Sequence, residues 1–245
     1  MPDQEVISQG WDEFAPWFAQ RWEPGQHVAV VAPTGAGKTG LIVALLRLRR
    51  WVAAVDAKGG DKTLRTLTKH GYKRVIKWPP PRRELDDKLE ERQPVRLIVG
   101  YDRPTREQLP KHRQVIADCL GYAFDAGGWT VALDELQMTA DRRLMGLGAQ
   151  IETLLILARD RGVSVVSAYQ RPANVPPSAS EMSTWFVVGY TRDADTVATL
   201  GAEAGQSRAA MRGAVKALGS QPHALLVFSR SPYDPIIVTR APPPR

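Results

Sequence analysis

The chain has 245 residues, 43% hydrophobic and 24% charged, enough to bury a core and too mixed for global disorder or a coiled coil. Lys and Arg number 33 against 26 Asp and Glu, a formal charge of +7, and one cysteine, Cys119, excludes an intrachain disulfide and fits a reducing compartment. The polar, acidic start MPDQEVISQGWDEF does not read as a signal peptide, and no apolar run approaches the roughly 18–20 residues of a membrane helix, so a soluble cytoplasmic protein with no membrane span is expected.

The apolar pattern then alternates short buried runs with longer helical ones. Residues 9–21 read as an amphipathic N-terminal helix with Trp11, Phe14, Trp17 and Phe18, most simply a lid packed on the core. Residues 27–32 (HVAVVA) read as a buried strand, 38–48 as a helix, 51–56 (WVAAVD) as a strand and 61–70 as a short helix. Strands are predicted at 74–78 and 96–100, with a Pro-rich break at 79–83, then a long helix over 105–124. A strand at 129–134 (WTVALD), a helix over 150–161 ended by Gly162, and strands at 163–168 and 184–190 follow. Residues 196–218 read as a helix broken by glycines, 225–229 and 235–239 as a terminal hairpin, and APPPR as a Pro-rich tail. Strands alternating with helices predict an α/β protein, its sheet mostly parallel with helices on both faces.

The strongest local signal is Ala32-Pro33-Thr34-Gly35-Ala36-Gly37-Lys38-Thr39, between a strand and a helix, the setting of a P-loop. Glycines there let backbone N–H groups curl around phosphate oxygens, and the following helix adds its unpaired donors and positive dipole end. Pro33 to Thr39 are thus the expected nucleotide-binding residues, Lys38 reaching the β- and γ-phosphates and Thr39 placing its hydroxyl on Mg²⁺, so ATP and Mg²⁺ are the expected cofactors. Ala32 departs from the motif, whose first position is normally Gly.

Val131-Ala132-Leu133-Asp134-Glu135 ends a buried strand with two carboxylates, and strand C-termini line the ligand crevice of a parallel sheet. Asp134 is expected to hold Mg²⁺ through a water and Glu135 to act as general base on the attacking water. The alternative is a helix N-cap. Gln170, after the strand at 163–168, is placed to contact the γ-phosphate or the water.

Together these stretches resemble the FtsK–HerA superfamily of P-loop DNA-pumping ATPases. The matching residues are APTGAGKT (32–39), VALDE (131–135) and GVSVVSAYQRP (162–172), and Val55-Asp56-Ala57-Lys58-Gly59-Gly60 is similar to the Asp-x-Lys-Gly stretch of type IV coupling proteins in that group. The resemblance implies a RecA-like core at 25–240, between an N-terminal helical extension (1–24) and the Pro-rich tail (241–245). It also implies assembly into a ring, usually a hexamer, and ATP hydrolysis that moves double-stranded DNA, with a portal, capsid or channel protein as a further partner. In such rings an arginine from the neighbouring subunit completes the site, and Arg159 and Arg161 lie in the matching stretch. The helix carrying them should run away from the strand C-termini, so either could act only in trans. The alternative is that both cap the helix C-terminus. No membrane segment, winged-helix domain or HerA-type barrel is recognisable, which leaves the expectation of a minimal motor similar to viral packaging ATPases or to an accessory motor of a mobile element.

Between Arg47 and Arg83 stand twelve Lys and Arg against Asp56 and Asp61, a net +10. Lys62, Arg65, Lys69, Lys73, Arg74 and Lys77 of this block, with Arg142 and Arg143, are the expected DNA-backbone contacts. Two other function classes remain open at this level. One is a P-loop kinase of a small molecule, against which stand the paired acids, Gln170 and the lack of an Arg-rich lid. The other is an ATP-dependent assembly factor without motor activity.

Overall fold

The computed structural model describes residues 6–80, 94–203, 205, 207–221, 223–231 and 233–240. Its strands are β1 (Val6–Ser8), β2 (His27–Val31), β3 (Trp51–Val55), β4 (Lys73–Val75), β5 (Val95–Val99), β6 (Thr130–Leu133), β7 (Ser164–Tyr169), β8 (Ser183–Gly189), β9 (Ala224–Ser229) and β10 (Ile236–Arg240). They form one sheet in the order β1-β10-β9-β8-β2-β7-β6-β3-β5-β4. All neighbours pair in parallel except β8–β9 and β9–β10, which are antiparallel. The mostly parallel α/β architecture expected from the strand–helix alternation is what is found.

Side-chain alternation explains why the central strands read as unbroken apolar runs: each buries both faces. In β2, Val28 and Val30 enter one core, with Phe14 and Phe18 of α1 (Trp11–Arg21), Leu41 and Leu45 of α2 (Lys38–Leu46) and Leu64 of α3 (Lys62–Thr66). Ala29 and Val31 enter the other, with Ile116 and Leu120 of α4 (Leu109–Ala126), Leu154 of the later helix Gly148–Leu157, and Leu200 and Met211 near the C-terminus. Phe18 meets Trp185 of β8 edge-on, with ring centroids 5.1 Å apart, so α1 is bolted to the sheet by aromatic contact. The segment before α1 carries a strand that its sequence does not announce: β1 adds to the sheet edge beside β10.

Other boundaries shift locally. The strand expected at 74–78 is β4, Lys73–Val75, and Trp78 instead packs against Tyr122 and Trp129. The helix expected at 105–124 begins as a 3-10 turn at Arg106–Gln108 under a Thr105–Gln108 capping box. Residues 196–218 divide into two helices, Ala194–Glu203 and Arg208–Ala217. The Pro-rich tail, and residues 81–83 of the Pro-rich break, lie outside the described residues.

His27 opens β2 inside the core. Its Nδ1 accepts from the Val165 amide at 3.0 Å and its Nε2 lies 3.0 Å from the Leu155 carbonyl, which requires the neutral tautomer with Nε2–H donating. Burial lowers its pKa from 6.5 to about 4. The unfolded chain therefore takes up this proton before the folded one does. The associated stability is complete above pH 6.5 and is lost progressively as pH falls toward 4, by about 2 kcal/mol between pH 7 and 5. Denaturation of wild type and His27→Gln across this range is expected to show a flatter pH profile in the variant.

Candidate nucleotide-binding site

β7 lies between β2 and β6, so the loops leaving the C-terminal ends of these three adjacent strands converge. They carry the P-loop, Gln170 and the Asp134-Glu135 pair. A cleft of about 640 Å³ opens there, lined by Thr34 to Leu41, Asp134, Glu135 and Gln170. That volume is in the usual range for small-ligand sites, about 300–1,000 Å³.

The loop is shaped for an anion. Gly35 and Gly37 take φ values of +81° and +85°, left-handed backbone that L side chains resist, and Gly37 leads directly into α2. Lys38 Nζ folds back onto the loop, donating to the carbonyls of Ala32 at 2.7 Å and Pro33 at 2.9 Å. Burial pulls its pKa below the usual lysine value, opposed by Asp134 and Glu135. Phosphate oxygens would offer this ammonium a charged partner in place of carbonyls.

The departure at Ala32 has a spatial counterpart. A Cβ built on Gly189, at the end of β8, would stand 2.8 Å from the Ala32 Cβ, so the methyl at the first loop position occupies the space that a bare glycine opposite leaves. Gly189→Ala is expected to lower stability by about 1–3 kcal/mol, through overpacking. Adding Ala32→Gly should restore most of it, as read by urea denaturation of the single and double variants.

Asp134 is buried, and its Oδ2 accepts from Thr39 Oγ1 at 2.8 Å. Its Oδ1 is buried without a hydrogen-bond partner. Burial pushes its pKa up to about 6, with the Thr39 hydrogen bond opposing and Asp61 and Glu135 adding to the rise. A buried carboxylate with one orphaned oxygen beside a hydroxyl fits a hard divalent cation such as Mg²⁺, which takes oxygen ligands and retained waters. Glu135 stands at the N-cap position of the next helix, Leu136–Ala140, but its side chain makes no capping bond. It pairs with Lys58 instead.

Lys58 carried no assigned role in the sequence, although it belongs to the Asp56–Gly60 stretch. The loop that presents it is tied down from below. Buried Asp56 accepts from the Gly60 amide at 2.9 Å and from Arg74 Nη2 at 2.9 Å, and Asp61 caps α3 through the amides of Thr63 and Leu64. Asp61 and Thr63 line the cleft beside Lys58, and His223, Leu225 and Arg240 line it from the C-terminal hairpin. The hairpin residues have no sequence signal; only the pairing of β8, β9 and β10 brings them here.

The expected DNA contacts divide. Arg74 pairs with Asp56 and donates to the Gly100 carbonyl with its side chain 17% exposed, so in this structure its charge braces the Lys58 loop. Arg65 forms a two-pronged pair with Asp102, at 2.7 Å to each oxygen, and Lys73 is also engaged by a neighbour. Lys62, Lys69, Lys77, Arg142 and Arg143 are exposed. The helix Gly148–Leu157 and the turn Arg159–Arg161 end beside Gly128 and Pro24, at the strand N-termini, away from the cleft. There Arg161 stacks on Phe124, 4.2 Å from the ring centroid, and donates to its carbonyl. Arg159 is exposed, and Ile156 and Leu157 beside it are 52% and 59% exposed. No helix among the described residues is long and apolar enough to cross a membrane.

No family profile matches the chain, and no curated protein matches it. Solved structures do. The genome packaging NTPase B204 from Sulfolobus turreted icosahedral virus 2, determined with sulfate, superposes with a TM-score of 0.57 at 16% identity, covering 89% of this chain and 98% of B204. The pCW3 conjugation coupling protein TcpA, with ATPγS, gives 0.52 at 15% identity, covering 89% of this chain and 60% of TcpA. The cytoplasmic domain of the Thermomonospora curvata type VII secretion ATPase EccC gives 0.55 at 15%, covering 90% of this chain and 26% of EccC. At these identities the likeness is one of fold: the chain has the RecA-like P-loop NTPase fold that these ATPases share, as its resemblance to the FtsK–HerA superfamily implies.

Proposed function

We propose that the chain hydrolyses Mg²⁺-ATP and uses the energy to move double-stranded DNA, working as a homo-oligomeric ring in genome packaging or DNA transfer. The observation that carries this reading is the convergence of Lys38, Thr39, Asp134, Glu135 and Gln170 on one cleft, in a fold shared with a packaging NTPase and a coupling protein. Residues 25–240 form the ATPase domain in this reading.

Thr39 and Asp134 would hold Mg²⁺, which when bound neutralises charge on the β- and γ-phosphates. Lys38 exchanges its two loop carbonyls for phosphate oxygens. Glu135 takes the proton from the attacking water as the water oxygen bonds to the γ-phosphorus and the bond to the β–γ bridging oxygen breaks, releasing ADP and phosphate. Gln170, at the end of β7 between the two loops, orients the water or the γ-phosphate. Arg159 reaches the neighbouring subunit's nucleotide, and exposed Ile156 and Leu157 suit that contact. Lys62, Lys69, Lys77, Arg142 and Arg143 grip DNA phosphates without reading bases. A portal, capsid or channel protein receives the DNA.

The test is steady-state ATPase activity with and without duplex DNA, at about 50 and 200 mM salt, with the mass in solution measured alongside. Stimulation that fades with salt, in a ring-sized assembly, is expected. Turnover by a monomer indifferent to DNA would overturn the motor. Turnover that requires a small-molecule acceptor would replace it with the kinase.

A further inference from the structure

We propose that the open end of the β9–β10 hairpin is the base subsite of the cleft: His223 and Arg240 clasp the purine of the bound nucleotide, with Leu225 as its apolar floor. The inference rests on the nucleotide reading above and deepens it by saying what holds the base.

The direction in which the nucleotide lies follows from the sheet. The γ-phosphate end is set by Thr39, Asp134 and Glu135, and β6, which the two acids directly follow, stands two places from β2 on the β7 side. The base must extend the other way, past β8 toward β9 and β10. β8 runs parallel to β2, with Val188 beside Val31, so both end at the same sheet edge. β9 is antiparallel to β8, with Leu225 beside Gly189, so its first residues lie at that edge. β10 is antiparallel to β9, with Arg240 beside Ala224, so its last residue returns there. Two residues far apart in the chain thus flank the P-loop from one side, and the cleft is continuous from Glu135 to Arg240.

The local geometry is particular. His223 has φ +61°, a left-handed conformation rare for a residue with a side chain and concentrated where function requires it. Its Nδ1 would stand 3.3 Å from a Cβ on Gly37, so the imidazole lies against the last glycine of the loop. Leu225 is buried, while His223 and Arg240 are exposed. The acids lining the cleft, Asp61, Asp134 and Glu135, are all at its other end. A flat imidazole and a flat guanidinium over an aliphatic floor suit the π-face of a base.

The test uses two probes on the full chain, ATP and inorganic tripolyphosphate, titrated calorimetrically with Mg²⁺. His223→Gly removes the ring while tolerating the left-handed backbone, and Arg240→Lys keeps the charge while removing the plane. Each is expected to weaken ATP binding roughly 5- to 150-fold, the range for losing a stacking partner, and to leave tripolyphosphate within about twofold. Parallel loss of both ligands would make these residues phosphate grips and overturn the base subsite, as would unchanged ATP affinity in both variants. Failure of the underlying reading is separately visible: wild type would then not bind tripolyphosphate, or Lys38→Ala would still bind it.

Discussion

Glu135→Gln is expected to lower kcat for ATP hydrolysis by about 10²–10⁴-fold, the usual contribution of a positioned general base, while ATP affinity stays within about twofold. Glutamine keeps the shape of the side chain but cannot take the proton of the attacking water. In the proposed reading the nucleotide grip lies elsewhere, in Lys38, Thr39 and the loop amides, so binding and turnover should separate. The substitution also breaks the pair with Lys58, and Lys58→Met serves as the control that removes the pair and leaves the base. Single-turnover kinetics with an equilibrium binding measurement reads both quantities. Normal turnover in Glu135→Gln would remove the general-base assignment and leave Asp134 and Glu135 as cation and loop anchors.

The second large effect is expected in trans. A fully substituted Arg159→Ala assembly should lose about 10³–10⁵-fold in turnover, the scale on which an arginine supplied to a phosphoryl-transfer site acts. Because that arginine would serve a neighbour's nucleotide, mixing variant with wild-type subunits should depress activity faster than the variant fraction rises. Arg161→Ala should give a proportional decline, since Arg161 already spends its guanidinium on the Phe124 ring and carbonyl. A proportional decline for Arg159 as well would mean that the two arginines only complete the helix end, where cations are favoured without any partner.

Much of the fold is legible in the chain because its signals are local. The P-loop announces itself by glycine spacing between a buried strand and a helix, and both glycines take the left-handed backbone that the motif requires. The pattern of apolar runs likewise marks the strands, since a strand covered on both faces must be apolar throughout. Arg74 shows where this legibility stops. In the sequence it is one of a dozen cations in a basic block; in the fold it is the partner of buried Asp56 and braces the loop that offers Lys58 to Glu135. Charge composition records how many cations there are and not which are spent internally, because pairing depends on neighbours distant in the chain.

The residues of the proposed phosphate end are legible in the chain: a lysine and a threonine after a glycine loop, and two acids at a strand end, are contiguous and need only local geometry. What surrounds that end is set by the fold. β7 inserts between β2 and β6 and brings Gln170 between loop and acids. Gly189 makes room for the unusual Ala32. Two antiparallel pairings return His223 and Arg240 to the cleft. Each depends on strand order and register, which are set by packing many side chains at once and leave no mark at any single position.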